Sequence, residues 1–225
     1  MANSPVYRNQ QLEDKINNYK ICSRIDLRKQ QLTDSDIEII IKEAIIKKQC
    51  SMLWLTNNNI TSQAISNLAS ALHNNTTLEG LSLCDNGIND TDVFHLAHAL
   101  SNSNSKLNRL ALTSNNITDQ GVQYLAQMLK LNHSLTQLWL GFNKITDHGV
   151  KILTDTLIHH NKTLYVLSLS WNNRVTDSSV DFLIDMFEYN QTLRTVCLVN
   201  CNLSETSKLK LRQATKLRKE FYLDL

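Results

Sequence analysis

Two apolar periods take turns along this chain. Over short stretches the apolar residues alternate, as in Leu53 and Leu55, Leu81 and Leu83, or Leu110 and Leu112. In a pleated strand such pairs face one side and the residues between them the other. Three residues after the pair stands Asn58, Asn86, Asn115, Asn143 or Asn172, where the chain must turn inward and its backbone amides need partners. An asparagine both donates and accepts, so a stack of them can tie successive turns together. An apolar residue follows (Leu32, Ile60, Ile88, Ile117, Ile145, Val175, Leu203), and then Thr33, Thr61, Asn89, Thr118, Thr146, Thr176 or Ser204, all helix N-cap residue types. After the cap the period becomes helical: Ile65, Leu68, Ala69 and Leu72 recur as Val93, Leu96, Ala97 and Leu100, and as Val122, Leu125, Ala126 and Leu129. The spacing therefore predicts strand, turn, helix, over and over.

The template L-x-x-L-x-L-x-x-N-x-I fits seven times, with fourth positions at Ile25, Leu53, Leu81, Leu110, Leu138, Leu167 and Val196, separated by 28, 28, 29, 28, 29 and 29 residues. One such unit cannot bury its own apolar face, but a stack shares one continuous core. The pattern resembles the ribonuclease-inhibitor-type leucine-rich repeats, found also at the C-terminus of intracellular NOD-like receptors, over roughly residues 21 to 215. The resemblance implies an α/β solenoid, a curved horseshoe arc of about seven 28–29-residue repeats, with a parallel sheet on the concave side and helices on the convex side.

Departures from the template mark the ends. Gln30 replaces the asparagine in the first repeat and Cys201 in the last, a usual substitution in this family, while Arg174 is an extra residue in the sixth. Apolar register decays to Leu209 and Leu211 among lysines and arginines, and Leu225 stands 29 residues beyond Val196 as if an eighth strand had started there. Leu12, Ile16 and Tyr19 share one face of a short helix that closes the other end of the core. Residues 1–20 are thus read as an N-terminal cap, 21–203 as the repeats and 204–225 as a C-terminal helix and cap, together a complete solenoid.

Composition narrows the class. A chain of 225 residues that is 42% hydrophobic, with five glycines and one proline, suits one cooperative unit and not a disordered one. No apolar run has signal-peptide length or approaches the ~18 residues of a membrane span. Of the five cysteines, Cys22, Cys50 and Cys201 fall at core or turn positions and Cys84 and Cys197 on the strand surface, a usage that fits a reducing cytosol. The sequons at Asn59, Asn116 and Asn202 arise where a turn asparagine precedes a capping residue, and are read as unmodified.

Function is sought on the outward strand positions, the surface free to vary while the scaffold repeats. Trp54 and Trp139 occupy such positions, and Phe142 and Trp171 stand one step further on, just before the turn asparagine. Stability does not require them, because serine and alanine fill equivalent positions in other repeats. Parallel strands are about 4.8 Å apart, so Phe142 and Trp171 should touch with Trp139 nearby, and Trp54 should lie roughly 14 Å away. Exposed aromatic clusters are the composition of protein-binding hot spots. The bland alternative is that the rings cover the sheet, packing on one another and on Arg109 or Met52. Arg24, Asp26, Arg28 and Lys29 add a charged end suited to orienting a partner, or else simply a solvated terminal repeat. The candidate partner-binding residues are therefore Trp54, Trp139, Phe142, Trp171, Arg109, Arg24, Asp26 and Arg28.

An enzyme fits poorly. By register His73, His95, His98, His133, His148, His159 and His160 fall on helices or the loops after them, whereas Cys84 and Cys197 are concave, so a Cys–His pair would have to meet across the core. His95 and His98 are spaced to share a metal, but no further ligand follows at a characteristic spacing. No glycine-rich phosphate loop is present. No catalytic residue, metal or cofactor is expected. A basic C-terminal segment, Lys208, Lys210, Arg212, Lys216, Arg218 and Lys219 against Glu205 and Glu220, supports an alternative as a ribosome- or RNA-associated binder, although the formal charge of the chain is only +2. The reading adopted is a monomeric, cytosolic, non-catalytic module that binds a protein on its concave face, with no membrane partner. Inhibitor, adaptor and pathogen effector delivered into a host cell remain open as roles.

Overall fold

The computed structural model describes residues 8–101 and 105–225, so residues 1–7 of the expected N-terminal cap lie outside the described residues. Eight strands form one parallel sheet in sequence order: β1 (Arg24–Asp26), β2 (Met52–Trp54), β3 (Gly80–Ser82), β4 (Arg109–Ala111), β5 (Gln137–Trp139), β6 (Val166–Ser168), β7 (Thr195–Cys197) and β8 (Tyr222–Asp224). After the first helix, α1 (Gln10–Asn17), a helix follows each of the first seven strands: α2 (Asp34–Ile40), α3 (Ser62–Leu72), α4 (Asp90–Leu100), α5 (Asp119–Leu131), α6 (Asp147–His159), α7 (Val180–Tyr189) and α8 (Glu205–Thr215). Helix α2 widens into π turns over Ile41–Lys47, and a 3₁₀ turn, Asp177–Ser179, leads into α7. This is the α/β leucine-rich-repeat solenoid.

Register follows the repeat. Ile25, Leu53, Leu81, Leu110, Leu138, Leu167 and Val196 pair side by side, and all are buried. Every expected N-cap residue, from Thr33 to Ser204, precedes its helix or helical turn. The end of the stack differs from expectation. Leu223, not Leu225, pairs with Val196, because the connection through α8 is two residues tighter than assumed and Leu225 falls at the second inward position. At the other end Leu12 and Ile16 are buried beneath α1, while Tyr19 lies beyond that helix and its hydroxyl donates to the Asp26 carbonyl at 3.0 Å and accepts from the Asp26 amide at 3.3 Å. That hydroxyl occupies backbone groups on the outer edge of β1.

The turn asparagines form the ladder expected of them. Asn115 Oδ1 accepts from the amides of Asn86 and Ile88 at 3.1 and 3.0 Å, while Nδ2 donates to the carbonyls of Leu83 and Leu112 at 3.1 and 3.0 Å. Cys201 makes one weaker bond, from Sγ to the Leu169 carbonyl at 3.4 Å.

A second ladder is not evident from the template. An aspartate in the first helical turn accepts from the amide of the next repeat's N-cap residue: Asp34 from Thr61, Asp90 from Thr118, Asp119 from Thr146, Asp147 from Thr176 and Asp177 from Ser204. The second repeat has Ser62 at this position, and only the side chain of Asn89 reaches it, at 3.4 Å. Two glycines fit this ladder. A Cβ on Gly121 would stand 2.5 Å from Asp90 Oδ1, and one on Gly149 would collide with Asp119 Oδ1.

Candidate functional site: the concave sheet

Four columns of outward residues run across the sheet. One of them, read along the strands, is Asp26, Trp54, Ser82, Ala111, Trp139, Ser168, Cys197 and Asp224. Two tryptophans therefore stand on either side of a low floor made by Ser82 and Ala111. Gly80 lowers the adjoining column, and a Cβ there would meet Met52 Cγ at 3.3 Å.

The column just before the turn has an unusual backbone. Lys29, Asn57, Asp85, Ser114, Phe142, Trp171 and Asn200 all have positive φ, between 52° and 65°. The register imposes this, since the amide of each of the six residues from Lys29 to Trp171 is held by a carbonyl of the following repeat. Asparagine and aspartate tolerate the left-handed region; other side chains there are held at a cost of about 1 kcal/mol or more. Phe142 and Trp171 are the two large aromatics in this column. Their rings stack at 4.5 Å with 13° between planes, yet remain 47% and 43% exposed. The chain thus keeps two strained aromatics on its surface where polar residues serve elsewhere.

Trp139 is half-buried next to this pair and, among the described residues, makes no ring contact. Trp54 belongs to the charged end instead. The guanidinium carbons of Arg24 and Arg28 each lie 4.7 Å from its ring centroid. Arg28 is also clamped to Asp26, by Nε at 2.9 Å and Nη2 at 2.6 Å, and this bond holds the Asp26 carboxyl below the usual carboxylate range and raises the guanidinium. Arg109 donates from Nε to Gln137 Oε1 at 3.0 Å, so its recorded polar contact is with the neighbouring strand. The eight candidates consequently separate into an Arg24–Asp26–Arg28–Trp54 group, a Phe142–Trp171 platform with Trp139 beside it, and Arg109 between them.

Sequence reasoning left Lys15 and Tyr19 out of this surface. Both line a cleft of about 580 Å³ with Asp26, Arg28, Lys29 and Thr56. The alternation of strand positions carries no signal for either, because they come from the cap. A signal for Phe142 and Trp171 did exist, in a column otherwise filled by Lys, Asn, Asp and Ser.

The remaining candidates fall elsewhere. Cys84 is half-buried on the concave side and accepts a 3.4 Å contact from Ser82 Oγ; Cys197 is also concave, and burial raises its thiol pKa, with Asp224 adding to the effect. Cys22 is exposed in the turn before β1, whereas burial pushes Cys50 up to about 12 and Cys201 up to about 11. His95 and His98 lie on α4, where the tertiary structure adds His73 with its ring 6.5 Å from that of His98. Among the described residues no cluster of three ligating side chains is placed to hold a metal. Phe94 rests edge-on to Tyr124 at 5.2 Å on the same convex side. In the basic C-terminal segment Lys208 pairs with Glu205 at 2.6 Å. Arg218 turns inward there, bonding the carbonyls of Phe187 and Leu193 at 3.1 and 2.8 Å, and burial lowers its pKa. Two of the six cations are therefore committed to the cap. No described helix is long and apolar enough to cross a membrane.

Comparison with known proteins gives a consistent picture. The Leucine Rich repeat family model matches residues 103–126, 131–153 and 160–183. The chain is 32% identical over 164 residues to the bovine (Bos taurus) NACHT, LRR and PYD domains-containing protein 3, covering 73% of this chain and 16% of that protein. It is 30% identical over 167 residues to the Caenorhabditis elegans protein phosphatase 1 regulatory subunit 37 homolog, covering 72% of this chain and 14% of that protein. The chain thus spans less than a fifth of the length of these relatives. Among solved structures the C-terminal domain of C. elegans tropomodulin superimposes with a TM-score of 0.56 at 16% identity, over 69% of this chain and 93% of that one, a likeness of fold alone.

Proposed function

This chain belongs to the leucine-rich-repeat family, and from that premise we propose that it is a non-catalytic protein-recognition module whose partner docks on the concave sheet. The carrying observation is the Phe142–Trp171 stack, nearly half exposed and held at positive φ by a register that asparagine and aspartate satisfy with less strain elsewhere in the column. Strain of this kind persists where something other than stability retains it. The rigid stack presents its aromatics before contact, so little ordering entropy is lost on binding. Flat aromatic anchors beside a lower floor are the usual make-up of an interface hot spot.

The name of one relative, a protein phosphatase 1 regulatory subunit 37 homolog, describes a regulatory subunit, and a role through binding is the part of that likeness carried over here. Five unpaired cysteines accord with work in a reducing compartment such as the cytosol. Within this reading the chain acts as an inhibitor, an adaptor or a delivered effector.

Site-specific photocrosslinking tests the reading. A benzophenone side chain placed at Ala111 on the concave floor should capture a protein from eukaryotic lysate, and one at Gln127 on the convex side should not. The captured band should disappear in the Phe142→Asn, Trp171→Asn double variant. Capture from Gln127 alone, or a band indifferent to the double variant, would move the function off the concave sheet.

A further inference from the structure

The concave face carries its positive charge at one end. Arg24 and Arg28 lie against Trp54, and Arg28 lines a cleft with Lys15 and Lys29. Among the described residues Arg28 is the one of these with a carboxylate partner, Asp26; Lys15 donates to Gln30 Oε1, a neutral acceptor, at 2.7 Å. Asp85, two strands further along Lys29's column, marks where the positive surface gives way. Stacking on the indole uses the faces of a guanidinium and leaves its in-plane N–H groups free to fork onto a carboxylate. The Arg24 guanidinium carbon lies 4.7 Å from the indole centroid with no hydrogen bond or ion pair of its own among the described residues, and Arg28, which shares that indole, lines the 580 Å³ cleft.

The other end of the same face is uncharged. From Trp54 on β2 to Phe142 after β5 and Trp171 after β6 there are three and four strand steps and three residues along the strand, about 17 and 22 Å. Gly80, Ser82, Ala111 and Gly141 keep much of the intervening floor low. An extended segment rises about 3.3 Å per residue, so about five to seven residues cover the distance.

We propose, resting on the protein-binding reading above, that the partner presents an extended acidic segment, with one carboxylate in the cleft lined by Lys15 and Lys29, a second on the Arg24 guanidinium, and a flat apolar side chain about five to seven residues away capping the Phe142–Trp171 stack. The cationic end sets orientation and encounter rate, and the aromatic end supplies the buried contact. Charge complementarity and the spacing together select a linear acidic–apolar peptide over a folded neutral surface.

The chain reports on itself, since its three tryptophans, Trp54, Trp139 and Trp171, all lie on this face and give separate indole N–H resonances in ¹⁵N–¹H NMR. The probe is a synthetic octapeptide with two aspartates at one end and phenylalanine at the other, made in both chain directions. One direction should shift Trp54 and Trp171 with a common half-saturation concentration. Replacing the aspartates by lysines should weaken binding about five-fold, the value of two exposed ion pairs. Arg24→Glu with Lys29→Glu should invert that preference while leaving the far-ultraviolet circular dichroism unchanged. Equal affinity for the acidic and basic peptides, or no indole shift, would overturn the proposal. So would an oligouridylate that moves Trp54 at lower concentration than the acidic peptide. A shift at Trp171 without one at Trp54 removes the acidic end while leaving concave protein binding intact, and the photocrosslinking experiment tests that broader reading separately.

Discussion

Replacing Phe142 and Trp171 together by asparagine separates recognition from stability. Asparagine is the informative choice because it tolerates the positive φ of 52° and 65° at these positions, where alanine would retain the backbone strain. Relief of that strain returns about 1 kcal/mol per residue. Against it stand the lost stack at 4.5 Å, worth about 1 kcal/mol, and the covered half of each ring, about 1 kcal/mol apiece. The net loss is about 1 kcal/mol. Leu138→Ala, at a fully buried position of the neighbouring strand, serves as the contrast and should cost about 2–5 kcal/mol. Urea denaturation followed by far-ultraviolet circular dichroism measures both without relying on tryptophan emission. A loss above about 3 kcal/mol in the double variant would mean that the rings are structural cover. A loss near 1 kcal/mol with undiminished capture of the partner would remove their functional role instead.

Three further outcomes test the framework. Asn115→Ala leaves the amides of Asn86 and Ile88 and the carbonyls of Leu83 and Leu112 without their side-chain partner, and should cost about 3 kcal/mol or more in the same melt; a loss under about 1 kcal/mol would deny the ladder its weight. Gly121→Ala should destabilise by about 1–3 kcal/mol although helix propensity alone favours alanine, because the new Cβ displaces Asp90 from Thr118; a stabilised variant would show that the aspartate ladder yields freely. Iodoacetamide at pH 8 should alkylate exposed Cys22 in the folded protein and reach Cys50 and Cys201 only on unfolding, as read by mass spectrometry. Because burial raises these two thiols to about 12 and about 11, they leave stability untouched below the pKa of an unfolded thiol and erode it as pH climbs toward those values.

What the sequence alone determined is what repeats: the inward leucines, the turn asparagines, the N-caps and the side of the sheet on which the tryptophans lie. Each is a local consequence of a two-residue or a 3.6-residue period, so reading one repeat reads them all. What varies from repeat to repeat was legible only where neighbouring positions are equivalent, as for Phe142 against Trp171. Tertiary structure decided the rest. It placed Trp54 with Arg24 and Arg28, set the positive φ beneath Phe142 and Trp171, and brought Lys15 and Tyr19 from the cap into the cleft. It also set Leu223 in register with Val196 and aligned the aspartates of one repeat with the caps of the next. Apart from the aspartate ladder, which recurs once per repeat, those pairings join residues that the period of the template does not relate. They depend on side-chain reach and rotamer, on the tightness of each connecting loop and on backbone bonds made to the next repeat, and these come into being only when the repeats are stacked.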